Sequence, residues 1–262
     1  KNLIRFSSPL IFNDPFDCRR VYDIRNSRNE VVMRKAAYLV RNGVSTSDAM
    51  SQAEGEIPQF AHDLEKYGRN GNSKSDLVNW RTPEFFVHHD FDNLIMWTFY
   101  ANKHSGICIE FRVRDEHEES HLDFVASALP IEYADRCPLI NLVQDDPAEI
   151  VRKTLLTKAT PFSYEAEWRI VRYDDGPDLK PIPKGIITAI IFGVNIDQSA
   201  RQRIIQACAD YDGRVEIMQA QLDPQAYGLH FELDRIVKLN RCGMNAEQDV
   251  KTSRLGKDHC CT

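Results

Sequence analysis

No run of this sequence approaches the roughly 20 apolar residues that a membrane-spanning helix needs. No basic n-region followed by an apolar core marks a signal peptide. No CxxC pair exists among the seven cysteines (Cys18, Cys108, Cys137, Cys208, Cys242, Cys260 and Cys261). Their number is odd and several sit in apolar runs such as "GICIEF", which argues against a disulfide framework or a zinc finger. The expectation is a cytoplasmic protein with reduced, largely buried thiols and no membrane partner. Glycine spacing gives neither a dinucleotide fingerprint nor a P-loop, and GxSxG and HExxH are missing. The usual nucleotide, hydrolase and zinc-protease signals are therefore excluded. An excess of basic charge is lacking too: 33 basic residues face 39 acidic ones, for a net charge of -6. Nonspecific duplex binding, which runs on phosphate neutralisation, is not favoured. The first residue is Lys1, inside a strand-like run, so a chain missing its natural start is expected.

What is present is an ordinary globular mixture, 42% hydrophobic and 27% charged over 262 residues, enough to bury a sizeable core. Helical spacing of Val32, Met33, Ala36, Ala37, Leu39 and Val40 predicts a helix over 29–43, stopped at Gly43. Residues 45–68 predict one or two helices broken near Pro58, and 70–76 an exposed loop. A strand at 84–89 is followed by a helix over 92–104, with Asp92 or Asn93 as its N-cap, and by a strand at 107–113. The charged run 116–121 reads as a loop and 128–133 as a short strand. Asp146 and Pro147 start a helix over 146–158. The isoleucine-rich run 185–196, the helix at 197–211 and strands at 214–222 and 228–236 complete the pattern. No βαβ period repeats, so the fold class is α+β, with mixed or antiparallel sheets of short strands and helices packed around them. The expected organisation is one domain over 1–240, with a helix-rich insertion at about 27–70 and a flexible tail from 241 to 262.

Four stretches offer chemistry. In "FSYEAEWRIV" (162–171), strand alternation puts Glu165, Glu167 and Arg169 on one face and Tyr164, Ala166, Trp168 and Ile170 on the other. That face is either a wet surface or a carboxylate row lining a cleft, where a glutamate stabilises positive charge or acts as a base. In "MWTFYANKHSG", Tyr100 and His104 stand four apart on one helix face, with His104 at the helix C-terminus. In "FVHHDFD", His88, His89, Asp90 and Asp92 are metal-ligand types, but adjacent strand histidines point to opposite faces and no ligand spacing supports a site; no metal is predicted. In "FNDPFDC", Asp14 and Asp17 flank a proline turn, which explains them without further function.

In order along the chain, "FSSPLIFNDPFDC", "LIMWTFYANKHSGICIEF", a lysine before "FSYEAEWRIV", and "IITAIIFGV" resemble a bacterial family known as domain of unknown function 2971. The resemblance runs from about residue 6 to 195. Members of that family open with a tyrosine-, lysine- and arginine-containing segment ahead of the NDPF turn, which this sequence lacks. A fainter resemblance is to ADP-ribosyltransferases, whose Glu-x-Glu opens a late strand as "YEAEWRI" does. That resemblance implies NAD as substrate, Glu167 as the group stabilising an oxocarbenium-like transition state, and Glu165 as the residue orienting the acceptor. It also implies Tyr100 stacking on nicotinamide, His104 on a ribose or phosphate, and Arg169 and Lys158 in the cofactor-binding set. The setting it implies is a toxin-like or phage-defence effector acting on an unidentified protein or nucleic acid. Two other classes stay open: a nuclease or other hydrolase using Asp14, His88, His104 and the glutamates, and a noncatalytic binding or sensor module in which Glu165 and Glu167 pair with Arg169 or Lys158.

Overall fold

The computed structural model describes residues 2–23, 25–70, 84–88, 90–113, 119–172, 178–211, 213–238 and 260–261. The chain opens with β1 (Leu3–Arg5) and β2 (Val21–Tyr22), then α1 (Arg28–Arg41) and α2 (Thr46–Asn70). Next come β3 (Glu84–His88), α3 (Leu94–Phe99), β4 (Ile107–Phe111), α4 (Glu119–Ala126), β5 (Ala128–Pro130), β6 (Glu132–Ala134) and β7 (Leu139–Ile140). After α5 (Pro147–Leu155) follow β8 (Thr157–Ala159), β9 (Glu167–Val171), β10 (Leu179–Pro181) and β11 (Ile187–Phe192). The last elements are α6 (Gln198–Ala209), β12 (Arg214–Leu222), β13 (Leu229–Lys238) and β14 (Cys260–Cys261). Short strands mixed with helices make the fold α+β, as the sequence pattern predicts. Among the described residues, no helix is long and apolar enough to cross a membrane.

Two discontinuous compact units share the chain. The first takes Lys1–Ser7, Pro83–Pro130 and Ser163–Thr262. It holds an eight-stranded sheet in the order β13-β12-β11-β4-β14-β3-β9-β5. Pairing is antiparallel except for the parallel β11–β12 pair. Strand β11 explains why this sheet is buried on both faces. Ile190 and Phe192 point into one apolar cluster with Val215, Ile217 and Cys208 of α6. Ile191 points into the other, with Trp97, Cys108, Met218 and Ala220. The period of two thus carries apolar residues to both sides, which is why "IITAIIF" reads as an unbroken hydrophobic run. Each such fully buried side chain contributes about 1.5–3 kcal/mol. A third cluster joins Phe6, Phe111, Phe124, Ile170, Ile182 and Ile186.

The second unit takes Ser8–Thr82 and Ile131–Phe162. Ser27 starts α1 with a reciprocal capping box to Glu30, and Gly43 follows its end at φ 90°. Val32, Ala36 and Leu39 of α1 pack on Ala49 and Ala53 of α2, with Ile57 against them. Asp146 caps α5 and Pro147 fills its first turn, as expected.

Several sequence expectations need correction. Pro58 lies inside α2 rather than breaking it; the turns just ahead of it are held on α1 through Ala49, Ala53 and Ile57. Residues 119–121 of the charged run open α4, while 116–118 lie outside the described residues, as do 71–76. The segment 128–133 makes two strands in two different sheets. The helix predicted to reach His104 stops at Phe99. Most of 241–262 lies outside the described residues, but Cys260–Cys261 pair between β3 and β4.

Candidate functional site

The Glu-Ala-Glu stretch is a junction rather than part of a continuous strand. Residues Thr160–Glu165 form a 3-10 turn, started by Pro161, whose fixed φ suits a first turn. Ala166 then takes φ 42°, an uncommon value for a non-glycine residue. Only at Glu167 does β9 begin, paired with β3 on one side and β5 on the other. Glu167 and Arg169 therefore share a strand face, but Glu165 precedes the strand. The charges are not on a wet surface: Glu165 is 3% exposed, Glu167 6% and Arg169 0%. Arg169 Nε donates to Glu167 Oε1 at 2.5 Å. A buried pair of this kind adds little net stability, yet removing one partner is costly because the other charge stays buried.

Tyr100 reaches the junction from α3. Asn93 caps that helix, its Oδ1 accepting from the amides of Ile95 and Met96. Its Nδ2 donates to the Tyr164 carbonyl at 2.6 Å, tying the helix start to the residue before Glu165. At the other end of α3, the Tyr100 hydroxyl donates to Glu165 Oε1 at 2.5 Å. Burial first, and the neighbouring Glu165 carboxylate second, push the Tyr100 phenol well above its ordinary range, so the hydroxyl stays a proton donor. The residue as a whole remains 61% exposed. One aromatic group thus offers a face to solvent and a hydroxyl to a buried carboxylate.

His104 does not share a helix face with Tyr100. Asn102, Lys103 and His104 all have positive φ, between 47° and 63°, a left-handed turn built without glycine. Left-handed backbone costs roughly 1–2 kcal/mol per residue, so other contacts must hold it. The amide of Lys103 donates to Thr98 O, and that of His104 to Trp97 O. Asn195 closes the turn from the far side, its amide donating to His104 O at 2.8 Å and its Nδ2 to Lys103 O at 3.2 Å. The imidazole stacks on Trp97, 13° from parallel. Thr98 gives its hydroxyl proton to Leu94 O, so His104 Nε2 donates to Thr98 Oγ1. His104 Nδ1 is buried and has no hydrogen-bond partner among the described residues. His104 makes no hydrogen bond to Tyr100, Glu165 or Glu167.

Lys158 falls in the second unit. It is buried on β8, 3.8 Å from Asp17 Oδ2, with its ammonium 5.0 Å from the centre of the Phe162 ring. The NDPF turn supplies that aspartate. Asp14 Oδ1 accepts from the Phe16 amide, as a proline turn predicts. Beyond the turn, Asp17, Cys18 and Arg20 are all buried, and Cys18 takes φ 55°. Sequence reasoning assigned Asp17 only to the turn and Asn93 only to a cap; the polar cluster "DCRR" just after an NDP turn is the signal for the first. For His88, the structure describes backbone pairing with Glu167 and with Cys261, and His89 lies outside the described residues. Among the described residues, no three His, Cys, Asp or Glu side chains group as metal ligands.

An α+β chain with buried carboxylates at a turn-to-strand junction is the class that this geometry defines. Residues 96–170 match the model of a family described as Protein of unknown function (DUF2971). The resemblance read from "LIMWTFYANKHSGICIEF" and "FSYEAEWRIV" stands over that segment. It contains Tyr100, His104, Lys158, Glu165, Glu167 and Arg169. No curated protein and no solved structure gave a match. The comparisons supply no link to ADP-ribosyltransferases.

Proposed function

We propose that the Tyr100–Glu165–Glu167–Arg169 cluster is an NAD-dependent ADP-ribosyl transfer site, of the kind found in toxin-like or phage-defence effectors acting in the cytoplasm on a protein or nucleic acid. The observation that carries the reading is the junction itself. Two buried carboxylates flank the Ala166 bend, one at the end of a turn and one at the start of a strand. The exposed ring of Tyr100 is hydrogen-bonded to the first of them. In this reading the nicotinamide ring stacks on Tyr100 and Glu167 stabilises the oxocarbenium character that develops as the glycosidic C–N bond breaks. Nicotinamide leaves with the bonding pair. An acceptor heteroatom bonds to the anomeric carbon, and Glu165 orients it and takes its proton. Arg169 fixes the Glu167 carboxylate, and His104 is a further member of the NAD-binding set.

The test is nicotinamide release and label transfer from NAD, comparing the protein with Glu167→Gln. The reading expects release to fall at least a hundredfold in the variant. Equal release by both proteins removes Glu167 from the role. The Glu167–Arg169 ion pair favours a second reading, a noncatalytic binding module in which the pair only braces β9. Under it, neither protein consumes NAD.

A further inference from the structure

Ile170 alternates with Arg169 along β9, so it leaves the strand on the side away from the Glu167–Arg169 pair. On that side lies a cavity of about 680 Å³ within the first unit. Its size falls in the range of small-molecule sites, roughly 300–1,000 Å³. Phe124 of α4, Ile170 and Ile182 form its apolar wall, and all three are core residues less than a tenth exposed. The polar lining is sparse and of opposite signs: Asp123 of α4 and Arg172 just past β9, with Ser127 beside them. Residues 120, 123, 124 and 127 recur at helical spacing, so one face of α4 and the turn that follows it supplies that wall.

The two charges are not spent on each other. Asp123 has no side-chain hydrogen bond or ion pair among the described residues. Among the described residues, the guanidinium of Arg172 is engaged only with a ring, 5.7 Å from the centre of Phe6. Ser127 gives its hydroxyl proton to the Phe124 carbonyl, which leaves its oxygen to accept. An apolar wall flanked by an anion and a cation that do not pair with each other matches a ligand that carries both charges on an apolar body. A simple anion would leave Asp123 facing it, and a simple cation would leave Arg172 facing it. Like charges at a shared site cost affinity, while opposite ones orient the ligand.

We propose that this cavity binds an apolar zwitterion of amino-acid or dipeptide size, its carboxylate on Arg172 and its ammonium on Asp123. The assignment is independent of the ADP-ribosyl transfer reading, which concerns the other side of β9.

The test is a chemical-shift titration of the full chain with three probes: L-phenylalanine, 3-phenylpropionate, which lacks the ammonium, and phenethylamine, which lacks the carboxylate. L-phenylalanine is expected to saturate with a Kd at least tenfold below either analogue. Arg172→Ala raises the Kd of L-phenylalanine and 3-phenylpropionate at least tenfold and leaves phenethylamine unchanged. Asp123→Asn does the reverse, weakening L-phenylalanine and phenethylamine only. Both positions are at the cavity rim rather than in the core, so the variants fold; unchanged circular dichroism checks this. Absence of saturable L-phenylalanine binding, equal affinity for all three probes, or an unchanged Kd in both variants overturns the proposal.

Discussion

The hydroxyl of Tyr100 donates to Oε1 of Glu165 across 65 residues of sequence, at 2.5 Å. Glu165 is 3% exposed, so the carboxylate has little water to replace that donor. Tyr100→Phe keeps the ring and removes only the hydroxyl. Hydrogen bonds to charged groups contribute about 1.5–3 kcal/mol. Urea denaturation should therefore show a loss of roughly that size. A loss under about 0.5 kcal/mol would mean that the bond contributes nothing net, and Tyr100 would be left as an exposed ring alone.

Arg169 and Glu167 should behave as a coupled pair. Arg169→Met leaves the Glu167 carboxylate buried without the guanidinium on Oε1, and breaking a buried pair from one side costs about 3–5 kcal/mol. The double variant Glu167→Met/Arg169→Met removes both charges and should recover at least 1 kcal/mol of that loss. Simple additivity of the two single changes would show that the pair is not the unit that matters.

The thiols should divide by burial. Burial pushes Cys208 up from its ordinary value of 9.0 to about 11, so it stays protonated through neutral pH. Cys18 and Cys108 are also buried, and Cys137 is exposed. Maleimide labelling of the native protein, read by peptide mass spectrometry, should modify Cys137 well before these three. The same displacement has a pH signature. The native state holds the Cys208 proton more tightly than the unfolded chain does. Its contribution is fully present below pH 9 and is lost as pH rises from 9 through about 11, at most about 2–3 kcal/mol. Other groups titrate there too, so the check is the difference between wild type and Cys208→Ala at pH 8 and pH 11. An identical pH dependence in both would remove Cys208 as a contributor.

Local signals were legible wherever structure is made locally. Asp146 and Pro147 mark the start of α5, and Asp92 or Asn93 that of α3, where Asn93 is the cap, because a cap needs only its own few residues. What escaped the sequence is set by distant partners. The left-handed turn at Asn102–His104 is closed by Asn195, more than 90 residues on. Helix periodicity runs through it unbroken, so Tyr100 and His104 looked like neighbours on one face. Alternation likewise ran through Ala166, although its positive φ separates Glu165 from the strand. Glu167 and Arg169 are buried on a strand paired along both edges, and neither that pairing nor what covers their face is encoded in a local pattern. Proline at position 58 was read as a helix breaker because tertiary packing, which overrides it, is not written in the local window.

Two glycines separate these levels. Gly193 follows β11, and a Cβ there would sit 2.2 Å from the carbonyl oxygen of His104 and 2.7 Å from its carbonyl carbon. The obstacle is backbone held in place: Gly193 N donates to Gly106 O, and the His104 carbonyl accepts from Asn195. Gly193→Ala must push the His104 turn away from the sheet, at a cost of about 1–3 kcal/mol or more. Gly55 lies inside α2 with nothing within 4 Å of an added Cβ. Gly55→Ala removes unfolded-state entropy at a helical position and should stabilise by about 1 kcal/mol. Thermal or urea unfolding of the two variants should therefore move in opposite directions. In Gly193→Ala, the stacking of His104 on Trp97 should be disturbed as well, read as a change in tryptophan fluorescence under native conditions. If Gly193→Ala were as stable as wild type with unchanged fluorescence, the close approach of the His104 turn to the end of β11 would be wrong. The left-handed turn would then need another support than the one described.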